Sequence, residues 1–145
     1  MAESPDSIVE RLRASGLRCT PQRYGVLNYL ASGPFHSTAD EIYTALTERE
    51  PLVSRATVYN TLRELTRARL VREFPSESTA ARYDANLHPH HHFVCDRCGG
   101  VEDLEWFDLP RHAGHHELGG HRIRSYEVIF RGTCRRCTGS SAGSR

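Results

Sequence analysis

The 145-residue sequence contains no lysine, and all 19 of its strongly basic residues are arginines. They nearly balance 18 acidic residues, so the formal net charge is only +1. This balance excludes a protein that attracts nucleic acid over its whole surface, and any contact with DNA must come from a local patch. Within such a patch, arginine suits bidentate contacts with guanine or phosphate better than lysine does.

Long apolar segments are also absent. No apolar run approaches the ~20 residues that a membrane span requires. The N-terminus, MAESPDSIVERL, lacks the basic and apolar regions of a signal peptide. We therefore expect a cytoplasmic protein that does not associate with membranes. In that reducing compartment, five cysteines favour metal binding over a disulfide framework.

The first half of the chain has the apolar spacing of helices. Four segments carry it: SIVERLRASG, TPQRYGVLNYLAS, STADEIYTALTERE and SRATVYNTLRELTRARL. Thr20 and Ser54 are expected N-caps, Pro21 takes a first helical position, and Thr38 with Glu41 forms a capping box. LVREF and ARYD follow as strands of a predicted hairpin. Helices followed by a hairpin indicate a winged helix-turn-helix.

The fourth helical segment is predicted to have one apolar and one polar face. Val58, Leu62 and Leu65 fall at positions i, i+4 and i+7 and define the apolar face. The opposite face carries a small residue, an amide, two arginines and an aromatic edge, namely Ala56, Asn60, Arg63, Arg67 and Tyr59. An ordinary solvated face and a DNA-reading face both fit this pattern.

The second half of the chain has strand character. HFVC, GVEDLEWF and RIRSYEVIFRG are predicted strands, DLPRHAGHHELGG is a weak helix, and the tail TGSSAGSR is expected to be disordered. The fold class is therefore α+β, with an N-terminal winged helix-turn-helix and a small α/β C-terminal domain.

Four cysteines form two matched knuckles. Cys95 and Cys98 make one Cys-x-x-Cys pair, and Cys134 and Cys137 make the other. Two such turns complete a closed tetrahedral Zn²⁺ site, which is structural because no ligand position stays open. The alternative is a redox pair or incidental cysteines. Cys19 is left over, and we expect it to be a small buried hydrophobic residue.

Histidines and carboxylates supply a second group of ligands. His90 and His92 alternate, so on a strand they share one face. Donors without thiolate suit Fe²⁺, Mn²⁺ or Zn²⁺, and five or six ligands favour the first two. Candidate partners are Asp84, Asp103 and the distant His36. A histidine-rich surface turn is the alternative, and we expect His88 and His91 to be bystanders.

Six segments together resemble the ferric uptake regulator family of dimeric, metal-dependent repressors. They are RCTPQR, FHSTADEIY, SRATVYNTLREL, RYD, HPHHHFVCDRCGGVED and CRRC, and they span roughly residues 8–137. The resemblance implies a winged-helix DNA-binding domain over residues 1–83 and a hinge over 84–89. It further implies a dimerisation and metal-binding domain over 90–137, and the disordered tail then covers 138–145.

Metal sites follow from the same resemblance. It implies structural zinc on the four cysteines and a regulatory site for Fe²⁺ or Mn²⁺ on His36, Asp84, His90, His92 and Asp103. A further metal site of some members is not expected, because Pro89 and Tyr126 occupy positions where it requires histidine. The cluster His112, His115, His116 and His121 matches no ligand set of the family.

Two positions indicate the branch of the family. Asp84 and Asn60 resemble the peroxide-sensing repressors, whereas iron-uptake members usually have Glu and Arg there. This resemblance implies that Fe²⁺-dependent oxidation of His36 or His90 ends repression. The alternatives are a regulator of iron, zinc or nickel supply without peroxide chemistry and, more distantly, a non-haem iron enzyme.

The expected partner is palindromic operator DNA bound by a homodimer. Two fourth helices would enter successive major grooves, where Tyr59 contacts a thymine methyl group and Asn60 reads adenine. The remaining predicted contacts to bases or phosphates are Arg23, Arg55, Arg63 and Arg67. No enzymatic activity is expected, since neither a substrate pocket nor a general base is evident.

Overall fold

The computed structural model describes residues 4–33, 36–48, 53–74, 80–108 and 117–139. The chain divides into two compact units, Met1–Leu87 and His88–Arg145. The boundary between them falls within the segment 84–89, whose role as a hinge stays a prediction. No helix in the described ranges is long and apolar enough to cross a bilayer.

Four helices build the N-terminal unit, as the apolar spacing predicted. They are α1 (Pro5–Ala14), α2 (Pro21–Ser32), α3 (Ala39–Thr47) and α4 (Arg55–Arg67). The predicted caps are confirmed, because the hydroxyls of Thr20, Thr38 and Ser54 each accept a hydrogen bond from a backbone N–H of the first helical turn. Glu41 completes the capping box at Thr38. Only α1 begins earlier than expected, at Pro5.

All four helices share one apolar core. α4 contributes Val58, Leu62 and Leu65, which are 0–1% exposed, so the predicted inward face is confirmed. Each of the other helices buries apolar side chains against it, namely Ile8, Leu12, Val26, Leu27, Leu30 and Ile42. This packing holds the polar face of α4 outward on a rigid support.

A small antiparallel sheet completes the N-terminal unit. Strands β2 (Arg72–Phe74) and β3 (Arg82–Asp84) form the predicted hairpin, whose connecting residues 75–79 lie outside the described ranges. A third strand, β1 (Ser37–Thr38), pairs with the other side of β3. The sequence did not predict β1, because two residues are too few to produce an alternating pattern.

The C-terminal unit is organised around strand β4 (His91–Cys95). It pairs antiparallel with β5 (Val101–Leu104) and parallel with β8 (Ile129–Gly132). A separate hairpin joins β6 (Glu117–Leu118) to β7 (His121–Arg122), and α5 (Arg135–Gly139) ends the described chain. The mixed helices and strands agree with the α+β class.

Three sequence expectations for this unit need correction. Glu117–Leu118 is a strand and the following glycines form a turn at φ +57° and +80°, so no helix extends there. The remainder of that predicted helix, 109–116, lies outside the described residues. The last strand is shorter than RIRSYEVIFRG, because pairing with β4 begins only at Ile129. Thr138 and Gly139 belong to α5 rather than to the tail, of which 140–145 is not described.

Truncation of a buried side chain of α4 tests whether the apolar face of this helix stabilises the N-terminal unit. Leu62→Ala is expected to lower the free energy of unfolding by about 2–5 kcal/mol, because Leu62 is fully buried and its removal leaves a cavity. Urea denaturation followed by far-UV circular dichroism measures this change. The adjacent, exposed Arg63→Ala is the control and is expected to lie within about 0.5 kcal/mol of the wild type.

Candidate metal centres

Parallel pairing of β4 and β8 brings the two cysteine knuckles to the same end of the sheet. Cys95 ends β4 opposite Gly132 of β8, and Cys134 follows β8 by two residues. Cys98 lies on the turn after β4, which Gly99 closes at φ +66°. Cys137 lies in α5. The topology therefore positions all four sulfurs, as the spacing predicted.

The sulfur geometry fits a tetrahedral zinc ion. The four Sγ atoms lie within 4.8 Å of one another, and Cys98 Sγ is 3.8 Å from Cys134 Sγ. Four thiolates about 2.3 Å from a tetrahedral Zn²⁺ would lie about 3.8 Å apart. Cys95 and Cys134 are buried, whereas Cys98 is exposed. The site thus has a closed inner pair and an accessible outer side.

Hydrogen bonds within the cluster shift the pKa values of its thiols in opposite directions. Backbone N–H groups of Cys134 and Cys98 donate to the sulfur of Cys95 and lower its pKa to about 6. The hydrogen bond between the Cys137 thiol and Cys134 raises the pKa of Cys137 to about 12, and the other two sulfurs act in the same direction. A bound cation would stabilise the thiolate forms of these side chains.

His36 and Asp84 are brought together by the sheet of the N-terminal unit. Ser37 pairs with Tyr83, so continuing the antiparallel register places His36 opposite Asp84. Both side chains are buried, and their ligand atoms lie within 4.8 Å of one another. Arg82 donates to the carbonyl oxygen of His36 at 2.9 Å, and the imidazole packs edge-on against Phe74. These contacts hold one nitrogen and one oxygen ligand together.

His90, His92 and Asp103 form a second group within the C-terminal unit. His92 pairs with Asp103 across β4 and β5, and His90 lies two residues before His92. The Nε2 atoms of the two histidines are 3.0 Å apart, and Asp103 Oδ1 lies 3.5 Å from His90 Nε2. Two nitrogens bound at about 2.1 Å and at right angles would be separated by about 3.0 Å. The trio therefore fits adjacent positions of an octahedral metal ion.

The Nδ1 atoms of His90 and His92 each lie near an oxygen atom. His90 Nδ1 lies 2.7 Å from the carbonyl oxygen of His88, so it carries the proton and leaves the Nε2 lone pair for a metal. His92 Nδ1 lies 3.6 Å from the carboxylate of Glu127, which is longer than a hydrogen bond. The sequence did not single out Glu127. The contact between Glu127 and His92 depends on where β8 begins, and no sequence motif predicts that position.

The expectation that His91 is an exposed bystander is wrong. Its side chain is fully buried, Nε2 donates to the carbonyl oxygen of Phe107 at 2.8 Å, and Nδ1 accepts from the N–H of Val128 at 3.2 Å. The ring stacks on Trp106 at 4.6 Å. His91 therefore connects three segments of the C-terminal unit and fixes the strand from which His90 and His92 project.

Other predicted residues have different surroundings. Tyr126 donates from its hydroxyl to Asp108 at 3.3 Å and packs against Trp106. His121 is exposed in β7, while His112, His115 and His116 lie outside the described residues. Cys19 is exposed, which corrects the expectation of a buried residue, because it lies in the loop before α2 rather than on an inward helical face.

The outer face of α4 is exposed, as its pattern predicted. Tyr59 is 48% exposed, and the other candidates on this face are open to solvent: Arg55, Asn60, Arg63 and Arg67. Arg55 binds the carboxylate of Asp40 and lies 4.4 Å above the ring of Tyr43. Arg23 is more enclosed, since its Nε donates to Glu64 at 3.0 Å and its Nη1 to the carbonyl oxygen of Arg18. Arg23 thus joins α2 to α4.

Comparisons with known proteins agree on one family. The model of the ferric uptake regulator family matches residues 14–123. The peroxide-responsive repressor PerR of Staphylococcus epidermidis is 36% identical over 135 residues, which cover 89% of this chain and 87% of that protein. Two solved structures are similar over almost their full length. One is the ferric uptake regulator of Helicobacter pylori, with TM-score 0.75, 25% identity and coverage of 94% of this chain and 95% of that one. The other, a zinc uptake regulator in complex with zinc and DNA, has TM-score 0.65, 26% identity and coverage of 96% and 95%.

Removal of one buried sulfur tests the cysteine site. Cys134→Ser is expected to purify without its zinc ion and to lose the fold of the C-terminal unit, because three thiolates no longer close a tetrahedral site. Elemental analysis and tryptophan fluorescence, which reports Trp106, measure the two effects.

The matched control is Cys19→Ser, the same substitution at the exposed cysteine of the N-terminal unit. It is expected to keep both zinc and the wild-type emission spectrum. Full zinc content in Cys134→Ser would contradict the assignment of the site.

Proposed function

Because the chain belongs to the ferric uptake regulator family, we propose that it is a metal-dependent repressor that binds operator DNA as a homodimer and is inactivated by peroxide. The observation that carries this proposal is the presence of largely buried imidazole and carboxylate groups in addition to a separate cluster of four thiols. Two ligand sets of different chemistry indicate two metals with different tasks. We place this activity in the cytoplasm.

In this proposal the regulatory metal is held jointly by His36 and Asp84 from the N-terminal unit and by His90, His92 and Asp103 from the C-terminal unit. The support is chemical. Two ligands in one unit and three in the other each fall short of the five or six donors that Fe²⁺ and Mn²⁺ prefer. The absence of thiolate from both sets directs Zn²⁺ to the cysteines instead. A metal bound by both sets would couple the two units.

That coupling is the proposed regulatory step. The free protein would sample several arrangements of its two units, and metal would favour one of them because only that arrangement presents all five ligands. If this arrangement also suits the DNA, metal and operator bind cooperatively. A coupling free energy of about 1–3 kcal/mol produces roughly a five- to 150-fold change in DNA affinity.

Peroxide sensing would act through the same ligands. Bound Fe²⁺ supplies the one-electron chemistry that activates peroxide. His36 and His90 are the side chains proposed to take up one oxygen atom of peroxide at a ring C–H while the other oxygen leaves as water, and an oxidised imidazole is a poorer ligand. Burial of both rings, at 2% and 5% exposure, restricts the reaction to oxidant generated within the site. The similarity to PerR of Staphylococcus epidermidis supports this branch of the family.

DNA recognition is assigned to the outer face of α4. Tyr59 and Asn60 are proposed to contact bases, with Arg55, Arg63 and Arg67 on bases or phosphates. Arg23, already tied to Glu64, is proposed to reach a phosphate from the start of α2. The support is the exposure of the α4 face and the similarity over 96% of the chain to a zinc uptake regulator in complex with DNA.

Homodimerisation is assigned to the C-terminal unit. Among the described strands, β8 is at the edge of its sheet, and Ile129 and Phe130 are 41% and 37% exposed there. Trp106 and Phe107 add further exposed aromatic surface. An edge strand with exposed apolar side chains favours pairing with a second chain. Two copies would then present two α4 helices to successive major grooves.

A regulator of metal supply without peroxide chemistry is the second candidate. The similarity to an iron and a zinc uptake regulator favours it, at 25% and 26% identity. Both candidates use the same metal ligands and the same DNA surface. They differ only in whether peroxide changes the protein, and that difference is directly measurable.

Oxidation of the ligands tests peroxide sensing. When protein loaded with Fe²⁺ is treated with peroxide, the tryptic peptides 24–49 and 83–97, which contain His36 and His90, are expected to gain one oxygen atom. Fragmentation spectra locate the added oxygen. Protein loaded with Mn²⁺ is the control and is expected to stay unmodified. Unmodified peptides from the Fe²⁺ form, together with metal-dependent DNA binding, would favour the metal-supply regulator.

Loss of one amide tests the DNA surface. Asn60→Ala is expected to weaken operator binding by about 1–3 kcal/mol and to relax the preference at one base position, because a bidentate contact to adenine is lost. Binding to a series of operators with single base changes measures this effect. A scrambled duplex is the control. Its affinity is expected to stay unchanged, since nonspecific binding depends on phosphate contacts rather than on Asn60. An unchanged base preference would remove Asn60 from the reading surface.

A further inference from the structure

We propose that Arg72 is an internal cation that occupies Asp84 when metal is absent and thereby sets the metal concentration at which the protein responds. The inference deepens the proposed function and rests on it, because it assumes that Asp84 is a ligand of the regulatory metal. Arg72 lies outside the ligand sets and outside the predicted DNA surface.

Strand pairing fixes Arg72 beside Asp84. The two residues are directly opposite in the antiparallel pair of β2 and β3, so their side chains leave the same face of the sheet. Arg72 Nη2 lies 3.5 Å from Asp84 Oδ2 and donates to the carbonyl oxygen of Asn86 at 2.8 Å. The backbone N–H of Asn86 in turn donates to Asp84 Oδ1 at 2.6 Å. One guanidinium nitrogen is therefore held within ionic contact of the carboxylate.

The burial of the two side chains is unequal. The side chain of Asp84 is 9% exposed, whereas that of Arg72 is 45% exposed. A buried carboxylate is costly without a positive neighbour, so Arg72 stabilises Asp84 in the metal-free protein. The guanidinium has access to solvent and can withdraw without being buried elsewhere. The charge of Asp84 is thus balanced by a cation that is itself removable.

A divalent metal at Asp84 changes the role of Arg72. A divalent metal held by Asp84 would repel the guanidinium of Arg72, because both are positively charged, and the two would compete for the same carboxylate. Metal binding must therefore overcome the Arg72–Asp84 attraction or displace the guanidinium. The expected result is a weaker metal affinity than the ligand set alone would provide. Arg72 would keep the site empty until the metal concentration rises.

Neutral substitution of Arg72 tests this competition. Arg72→Gln, in protein that retains its zinc, is expected to bind Mn²⁺ about two- to fivefold more tightly than the wild type. The expected gain is small because solvent weakens the attraction within a partly exposed ion pair. Affinity is measured by competition with a chelator of known Mn²⁺ affinity. Arg72→Met is a second neutral variant that preserves the apolar stem. Arg72→Lys, which keeps the charge, is expected to remain close to the wild type.

The salt dependence separates competition from a purely structural role. Under competition, the gain in Mn²⁺ affinity of the neutral variants is expected to shrink as the salt concentration rises. The thermal midpoint of the metal-free variants is expected to fall, because Asp84 loses a partner. The control Arg13→Gln removes the same charge from an exposed position on α1 and is expected to leave Mn²⁺ affinity unchanged. Zinc content and circular dichroism establish that each variant is folded.

Two outcomes would overturn the inference, and they are distinguishable. If the wild type binds Mn²⁺ and both neutral variants bind it equally or more weakly, Arg72 orients Asp84 or is irrelevant, and the proposed function stands. If the zinc-loaded wild type binds no Mn²⁺, Asp84 is not a metal ligand, and the proposed function fails together with the inference.

Discussion

Strand register determines which side chains of this protein can meet. In the N-terminal unit, the pairing of β3 with β1 and β2 places both His36 and Arg72 beside Asp84. In the C-terminal unit, the pairing of β4 with β5 places Asp103 opposite His92. A shift of either pair by one residue would turn these side chains to the other face of the sheet. The proximity of these imidazole and carboxylate groups therefore depends on backbone hydrogen bonds rather than on the side chains themselves.

The C-terminal unit has few buried apolar side chains. Among its described residues, the buried apolar side chains are Cys95, Val101 and Cys134, and three buried histidines accompany them. The contiguous apolar core of the chain lies instead in the N-terminal unit. So small a core supplies little of the free energy of folding, and a zinc ion on the four thiolates would add the stability that apolar burial does not provide. His91 adds to this by joining β4 to Phe107 and Val128.

Much of the architecture was predictable from local rules, for identifiable reasons. The helices of the N-terminal unit follow from apolar spacing and from hydroxyl caps such as Thr38, which act within one turn. The four-cysteine cluster was predictable because each Cys-x-x-Cys motif places two thiols on one tight turn. His91 was misjudged because alternation along a strand separates its two faces but does not reveal that both are covered. The contacts of Arg72 and Glu127 were not predictable from the sequence, because strand pairing determines which residues lie next to them.

The single tryptophan, Trp106, has a position with practical meaning. It stacks on His91, which lies between two proposed ligands, and it belongs to the C-terminal unit. The N-terminal unit contains no tryptophan, so the tryptophan emission of the native protein comes from one side of the boundary at Leu87. Unfolding of the helical unit is followed instead by circular dichroism. The two units thus carry separate optical signals, and the order in which they melt is readable without any label.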